Sequence, residues 1–204
     1  MAATPCDEAA AAASLADALA PDAFYAFITA PVAPAARRSA LAAYMSASLA
    51  EGRACGRVVA EPLGAAVWTL PAEDAATAAA LAVKRAAIAA ALGADGLARR
   101  DAVVEAMTRL CEPLTELRDA WYLSILGVAP SAQRGGVARR LLQPTLRECD
   151  ARGATAWLET YGEETLAFYS RFGFEQLGQP LLEPHTGCRY WILLRRPRTQ
   201  APAE

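Results

Sequence analysis

The sequence predicts a mixed α/β fold, and two patterns along the chain indicate it. The first half is mostly helical, with Ala-rich segments at 7–20, 35–51 and about 72–113 in which larger apolar residues recur every three or four positions. From Trp121 onward, short apolar strands alternate with helices. Strand, helix, strand, helix and two further strands form an order typical of a sheet covered by helices.

Two short strand candidates interrupt the helical first half. They are 55-CGRVVA-60 and 63-LGAAVWTLP-71, and the short connection between them predicts a hairpin with Trp68 in the core. The long helical stretch is expected to break near 93-GADG-96, because two closely spaced glycines stop a helix. No strand is predicted in residues 1–30.

The second half carries six predicted elements. They are strands at 121–128, 155–160, 174–177 and 188–196, and helices at 133–152 and 163–171. Gly153 suits the left-handed position that ends a helix. Pro144 conflicts with the first of these helices, since proline removes a backbone hydrogen bond and should bend it. The helix is kept because one apolar face continues across the break, formed by Val137, Leu141, Leu142, Leu146 and Cys149.

Composition and charge exclude several classes of partner. The 204 residues are 54% hydrophobic and carry a net charge of -2, which indicates neither nucleic acid nor a polybasic membrane surface. No uninterrupted apolar run reaches the roughly 20 residues that span a bilayer. The N-terminal stretch lacks the basic start of a secretory signal. We therefore expect a cytoplasmic protein with one domain at 1–197 and a disordered tail at 198–204.

The cysteines and the histidine indicate no metal site. Five scattered cysteines fit reduced thiols better than a disulfide framework. The chain has no CxxC pair, and His185 is its only histidine, so a zinc site is not expected. His185 lies in 183-EPHTG-187, which predicts an exposed loop rather than a catalytic triad.

The stretch 131-SAQRGGVARRLL-142 predicts an anion site between a strand and a helix. The first turn of a helix leaves backbone N–H groups unpaired, and the helix dipole adds positive charge there. Gly136 and Ala138 are small where the backbone would approach a ligand. Taken alone, the pattern also fits a tight strand-to-helix turn with surface arginines. The residues of a Walker loop or a dinucleotide fingerprint are missing. Side chains that would add pairing to an anion are Arg134, Arg139 and Arg140.

Two motifs together resemble those of the GNAT N-acetyltransferases. The stretch 158-LETYGEETLAFYSRFGFE-175 is similar to one family signature, and the closing strand 190-YWILLRRP-197 also fits. The segment 65-AAVWTLP-71 resembles the puromycin N-acetyltransferase-like branch. The acetyl-CoA-binding motif V-x-P-x-x-Q-x-x-G-x-A is matched by Val128, Pro130, Gln133, Gly136 and Ala138.

This resemblance implies a mixed, mostly antiparallel central sheet flanked by helices, with a splayed central strand pair. Residues 121–197 would bind acetyl-CoA as co-substrate, and residues 1–120 would shape the acceptor side. Two departures stand out. The family usually opens with a strand that residues 1–30 do not show, and Thr165 replaces a frequent asparagine.

The resemblance also implies the cofactor contacts. Pantetheine would pair with the backbone of Leu126 to Val128, with Gly127 as a bulge that separates the strands. The Val128 amide would donate to the thioester carbonyl oxygen. The full set of expected cofactor contacts is Leu126, Gly127, Val128, Gln133, Arg134, Gly135, Gly136, Val137, Ala138, Arg139, Thr165 and Phe168.

Two side chains are the catalytic candidates. Tyr169 matches the family tyrosine, and a phenol with a pKa near 10 can protonate a departing thiolate. Without the motif, a core aromatic beside Phe168 and Phe172 is the preferred interpretation. Glu159 would accept the amine proton, and recognition of a cationic substrate or a structural hydrogen bond are its alternative roles. Tyr122 and Tyr161 line the acceptor pocket or pack in the core.

The function implied is direct, metal-free transfer of an acetyl group to a primary amine of a small molecule. A protein lysine or N-terminus is the alternative acceptor. A CoA-binding module without turnover is the alternative of a different class. Paired subunits are common in the family, but nothing in the sequence decides between a monomer and a homodimer.

Overall fold

The protein folds around a central sheet covered by helices. The computed structural model describes residues 5–71 and 74–198. Its helices are α1 (Pro5–Leu19), α2 (Ala23–Thr29), α3 (Arg37–Cys55), α4 (Ala75–Cys111), α5 (Val137–Arg152) and α6 (Leu166–Ser170). Its strands are β1 (Gly56–Glu61), β2 (Gly64–Thr69), β3 (Trp121–Val128), β4 (Ala156–Thr160), β5 (Glu175–Gln176), β6 (Leu181–Leu182) and β7 (Arg189–Arg195).

The sheet has the order β1-β2-β3-β4-β7-β5, with β6 paired to β7. All of its strand pairs are antiparallel except β3 with β4, which confirms the mixed, mostly antiparallel prediction. The parallel pairing covers only Trp121 to Leu123 against Ala156 to Leu158. Both strands continue beyond that point without pairing to each other, so the central pair separates as predicted.

A bulge shifts the register of β3, and it lies at a different residue from the one predicted. Val67 faces Ile125 while the next residue, Trp68, faces Leu123, so Ser124 is the extra residue. The Ser124 hydroxyl donates to the Val67 carbonyl oxygen at 3.1 Å. The prediction of a bulge at Gly127 is therefore wrong.

Gly127 is small for a different reason. It pairs regularly with Ala65, and helix α1 crosses β3 directly above it. A Cβ atom there would lie 2.7 Å from Leu15 Cδ2, closer than real Cβ contacts. The glycine therefore permits close packing of α1 on the sheet.

The helices divide between the two faces of the sheet. α1 and α3 pack with Val67 and Ile125 on one face, and α5 packs with Trp68 and Leu123 on the other. The predicted hairpin of β1 and β2 is confirmed, with Trp68 fully buried. Residues 5–30 form α1 and α2, so no opening strand is present there.

Several predicted boundaries move by a few residues. Gly93 has φ 71° inside α4, which confirms the expected break. Helix α5 begins at Val137 rather than at 133, and Pro144 is accommodated within it. The tail was predicted to be disordered from 198. The Arg198 amide, however, donates to Asp150 at 2.8 Å, and residues 199–204 lie outside the described chain.

Helix α4 is the one helix of the described chain that is long and apolar enough to cross a membrane by length and composition alone. It carries Lys84, whose ammonium contacts the buried Glu51 of α3 at 2.7 Å. The absence of a membrane partner stays a prediction from the sequence.

Candidate active site

A cavity of about 1590 Å³ opens where β3 and β4 separate. It exceeds the roughly 300–1,000 Å³ of a site for one small ligand, so it has room for two substrates. One wall is the β3 segment from Tyr122 to Val128, and another is β4 from Trp157 onward. Residues of α2, α3 and α4 close the side opposite α5.

The open edge of β3 presents unpaired backbone groups to this cavity. The Ala129 amide donates to the Leu63 carbonyl at 2.8 Å, so the N–H group of Ala129 points toward the β2 side of β3. Because bonding alternates along an antiparallel pair, the N–H groups of Leu126 and Val128 point away from β2 into the gap. The Gln133 side chain also donates to the Val128 carbonyl at 3.3 Å. Leu126, Val128 and Gln133 therefore lie together at this edge of the sheet.

The start of α5 forms an uncapped cluster of backbone donors. Its first internal bond runs from the Arg140 amide to Gly136, at 3.2 Å. No side chain of the described residues caps this helix, so the amides of Val137, Ala138 and Arg139 stay available. Gly136 has φ 79°, and a Cβ added to it would have no protein atom within 4 Å. The open space above these donors suits an anion.

Arg134 and Gly135 complete the turn before the helix. Outside glycine, Arg134 is the one residue of 5–71 and 74–198 with a positive φ, at 63°. Left-handed residues in such a turn direct successive N–H groups toward one concave side, which favours anions. The guanidinium groups of Arg134 and Arg139 are exposed, whereas Arg140 forms a two-bond ion pair with Glu61 of β1. Arg140 is therefore partly neutralised.

Tyr169 lines the cavity from α6. Its ring packs edge-on against Phe168 and Phe174, with centroids 5.1 and 5.9 Å away. Its hydroxyl has no hydrogen-bond partner among the residues that the structure describes. Burial, and then the charge of Asp22, raise the pKa of Tyr169 well above its ordinary value. The phenol thus stays protonated at neutral pH, packed in the core at one end and open to the cavity at the other.

Glu159 projects from β4 into the same cavity, where both of its oxygens accept hydrogen bonds. The Tyr122 hydroxyl donates to Oε2 at 3.0 Å, and the Cys111 thiol donates to Oε1 at 3.3 Å. The Tyr122 ring stacks on Trp157 at 4.2 Å. Burial raises the pKa of Glu159 above its ordinary value, while the two hydrogen bonds oppose this shift. The carboxylate is held in a fixed position at the cavity wall.

Two predicted cofactor residues occupy less direct positions. Thr165 lines the cavity, but its hydroxyl donates to the Gly162 carbonyl at 2.7 Å and lies 3.0 Å from the Thr160 hydroxyl. This hydroxyl therefore holds the loop between β4 and α6. Phe168 packs on Phe172 at 5.1 Å and does not line the cavity.

The first half of the chain contributes residues that sequence reasoning missed. Asp22, Tyr25, Tyr44, Arg100 and Cys111 all line the cavity. Asp22 after a proline and before an apolar run is a helix-start signal, and it does cap α2, accepting from the Phe24 amide at 2.9 Å. The remaining four stand in Ala-rich helices, where no local pattern indicates that they converge.

Two further residues are placed as expected or nearly so. His185 is exposed in the loop before β7 and does not line the cavity. Tyr161 does line it, and its hydroxyl contacts the Met107 sulfur at 3.5 Å.

Within the described chain, no three His, Cys, Asp or Glu side chains cluster as a metal site requires.

A splayed parallel strand pair lies beside an uncapped, glycine-led helix, and this helix start suits an anionic ligand. A profile of the acetyltransferase (GNAT) domain matches residues 50–176. The chain therefore belongs to the GNAT acetyltransferases.

The chain is also similar to individual proteins over parts of its length. The chain is 31% identical over 86 residues to an uncharacterized N-acetyltransferase of Schizosaccharomyces pombe, a match that spans 42% of this chain and 35% of that protein. The ribosomal-protein-S18-alanine N-acetyltransferase of Escherichia coli is 24% identical, with a TM-score of 0.33 over 42% of this chain and 59% of that one. The protein PH1933 of Pyrococcus horikoshii shares the fold, with a TM-score of 0.53 and 13% identity over 97% and 96% of the two chains.

The residues present fit acetyl-CoA. The unpaired amides at the start of α5 suit its pyrophosphate, and the free N–H groups of Leu126 and Val128 suit its amide-bearing arm. The splay leaves space for that arm beside β3. The bound cofactor supplies the activated acetyl group.

Proposed function

We propose that this protein transfers an acetyl group from acetyl-CoA directly to a primary amine of a small molecule. The observation that carries this proposal is the meeting of four groups in one cavity. The backbone donors of Leu126 and Val128 line it where the strands separate, and Tyr169 and Glu159 line it as well. Direct transfer needs such a set, because donor, acceptor and proton-transfer groups must be present together.

Each of these groups has a distinct task. The Val128 N–H donates to the carbonyl oxygen as negative charge develops there. The Glu159 carboxylate accepts the proton of the attacking amine, directly or through water. The Tyr169 phenol, protonated at neutral pH, donates a proton to the departing sulfur. The first turn of α5 holds the pyrophosphate and so fixes the register of the arm along β3.

The walls of the cavity support a small acceptor. Tyr25 of α2, Tyr44 of α3 and Arg100 of α4 enclose the side away from α5. The segment 65-AAVWTLP-71 forms β2 beside β3, and its sequence supports placement near the puromycin N-acetyltransferase-like branch.

The test is incubation of the purified protein with acetyl-CoA and a panel of amines, with free CoA thiol as the readout. The panel contains monoamines, diamines, amino acids and two peptides, one with a free N-terminus and one with a single lysine. We expect turnover with a small amine. Turnover with peptides alone would favour the protein acceptor, and binding of acetyl-CoA without any turnover would favour an inert module.

We also propose a cytoplasmic location. The cysteines support it, because Cys55, Cys111, Cys149 and Cys188 are free thiols, as a reducing compartment would keep them. Pairing of two copies stays a prediction.

A further inference from the structure

Glu159 is a half-buried acid that lines the cavity without a cation of its own. Among residues 5–71 and 74–198, no lysine, arginine or histidine forms an ion pair with it. The buried Glu51, by contrast, contacts the Lys84 ammonium at 2.7 Å. Within the described chain, the charge of Glu159 is therefore stabilised by hydrogen bonds rather than by a counter-charge.

Two donors hold this carboxylate, one on each oxygen. The Tyr122 phenol of β3 donates to Oε2 at 3.0 Å, and the thiol of Cys111, the last residue of α4, donates to Oε1 at 3.3 Å. A carboxylate offers about four lone-pair positions. The two donors therefore occupy only part of its capacity, and room remains for the amine of a substrate.

The titratable side chains around Glu159 are themselves neutral. They are Tyr122 of β3, Cys111 of α4, Tyr190 of β7 and Tyr161, which follows β4. Burial raises the pKa of each of these thiol and phenol groups above its ordinary value, so all four keep their protons at neutral pH. Cys111 and Tyr122 therefore donate to the carboxylate, and such bonds favour its ionised form.

Cys111 is the member of this arrangement that lies outside the family motifs. A cysteine thiol is a weak donor, and buried cysteines usually behave as small apolar side chains. Cys111 packs in this way against the core cluster that includes Leu117 and Ile192. Its sulfur also bonds to Glu159, so it connects the helical first half of the chain to the candidate base on β4.

We propose that the Cys111 thiol is a positioning residue for acetyl transfer, which holds one oxygen of Glu159 while the Tyr122 phenol holds the other. The inference rests on the proposed function, in which Glu159 accepts the amine proton, and adds to it a residue of the acceptor half. Because both oxygens are held, the carboxylate keeps one orientation in the cavity. The thiol acts only through Glu159 and forms no covalent bond in the reaction.

The experiment measures kcat against pH for Cys111→Ala and Cys111→Ser, with the small amine that the wild-type protein acetylates fastest. Alanine removes the donor and makes the ionised carboxylate less stable, so the acidic limb of kcat should move to higher pH by about 0.5–1 unit. The Kd of acetyl-CoA should stay nearly unchanged. Serine keeps an O–H donor, so its limb should lie at the wild-type pH or below it. Tyr122→Phe removes the other donor and should shift the limb in the same direction as alanine.

Cys55→Ala is the matched control. Cys55 also ends a helix, α3, and its half-buried thiol donates to the Glu51 carbonyl at 3.4 Å without lining the cavity. The acidic limb of this variant should match that of the wild type. A wild-type limb in Cys111→Ala, or an equal shift in Cys111→Ser, would overturn the inference while leaving acetyl transfer intact. Cys111→Val, which also lacks a donor, replaces Cys111→Ala if that variant does not fold.

A second readout needs no turnover. The ¹³C resonance of the Glu159 carboxyl group, assigned by its loss in Glu159→Gln, reports the pKa of this side chain directly. That pKa should be higher in Cys111→Ala than in the wild type, and equal values would overturn the inference alone. A raised pKa without turnover of any amine would remove the proposed function, and the role of Cys111 in acetyl transfer with it.

Discussion

The Tyr122 hydroxyl donates to Glu159 Oε2 at 3.0 Å, across the last part of the sheet where β3 and β4 remain paired. Tyr122 is itself held by stacking on Trp157. The carboxylate is therefore fixed at the point where the two strands begin to separate. Under the proposed function, cofactor and acceptor would meet at that same point, and this bond would align Glu159 as the base.

Glu159→Gln should lower kcat at neutral pH by about 10²- to 10⁴-fold, because a glutamine cannot accept the amine proton. Burial raises the pKa of Glu159, so wild-type kcat should fall as pH drops through that raised value and the carboxylate becomes protonated. The variant should lack this acidic limb. Measurement of kcat against pH for both proteins checks this, and an identical acidic limb in the variant would contradict it.

Tyr169→Phe should lower kcat by about 10²- to 10⁴-fold while leaving the Kd of acetyl-CoA nearly unchanged, since only the proton donor is removed. Tyr190→Phe is the control. That hydroxyl is buried, has no hydrogen-bond partner in the described chain and does not line the cavity, so activity should persist. Steady-state kinetics and calorimetric titration measure the two effects. Undiminished turnover in Tyr169→Phe would exclude the tyrosine as the acid.

Gly136→Val should weaken acetyl-CoA binding by at least about tenfold, because it disturbs the donors at the start of α5 and fills the space above them. A left-handed residue with a side chain is strained by roughly 1–3 kcal/mol wherever it stands. Gly153→Val is therefore the matched control, since Gly153 ends the same helix with φ 65°. Both variants should lose similar stability, and only the first should lose affinity. Equal affinities would place the pyrophosphate elsewhere.

Acetyl-CoA should stabilise the protein against heat. A ligand that binds only the folded state adds about 2.7 kcal/mol to the free energy of unfolding at a concentration of 100 times its Kd. Thermal unfolding with and without the ligand measures this directly. An unchanged Tm at saturating acetyl-CoA would rule out the cofactor site.

Asp150→Asn should destabilise the fold by about 3–5 kcal/mol, because it leaves the Arg195 guanidinium, which is 3% exposed, without its anion. Burial tends to raise the pKa of Asp150, but bonds from Arg195 and Arg198 outweigh it and hold the pKa below its ordinary value. The stabilisation is therefore complete above the ordinary carboxyl pKa and is lost as pH falls through the lowered one. Urea unfolding at several pH values measures it.

The control for Asp150→Asn is Glu105→Gln, which breaks the exposed ion pair with Arg109. It should change stability by less than about 1 kcal/mol. A loss as large as that of Asp150→Asn would show that burial is not the cause.

The cofactor half of the molecule was predictable because its residues act locally. The donors from Val137 to Arg139 follow from a glycine turn and a helix start, which short motifs reveal. The splay of β3 and β4 followed from the family resemblance. Boundaries such as the start of α5 moved because Gly136 takes a left-handed conformation before the helix begins.

The acceptor half was less predictable because its residues converge only through tertiary packing. Asp22, Tyr44 and Arg100 come from three separate helices, and their meeting depends on how those helices pack. The bulge was misplaced for a related reason. Gly127 looked like a conformational glycine, whereas it is small because Leu15 of α1 lies against it.

The bulge at Ser124 adds one residue to β3 that has no partner on β2. An antiparallel strand alternates the direction of its backbone groups with a period of two, so an odd insertion reverses that alternation for every residue that follows. Leu123 and Ile125, two positions apart, lie on opposite faces of the sheet because Ser124 stands between them. Removing Ser124 would leave Leu123 facing Trp68 and Ile125 facing Val67 as neighbours in a regular ladder, so the N–H groups of Leu126 and Val128 would still point into the gap. A strict two-residue alternation counted from Trp121 therefore assigns Ile125 to Val128 to the wrong faces, and the extra residue is what corrects the count.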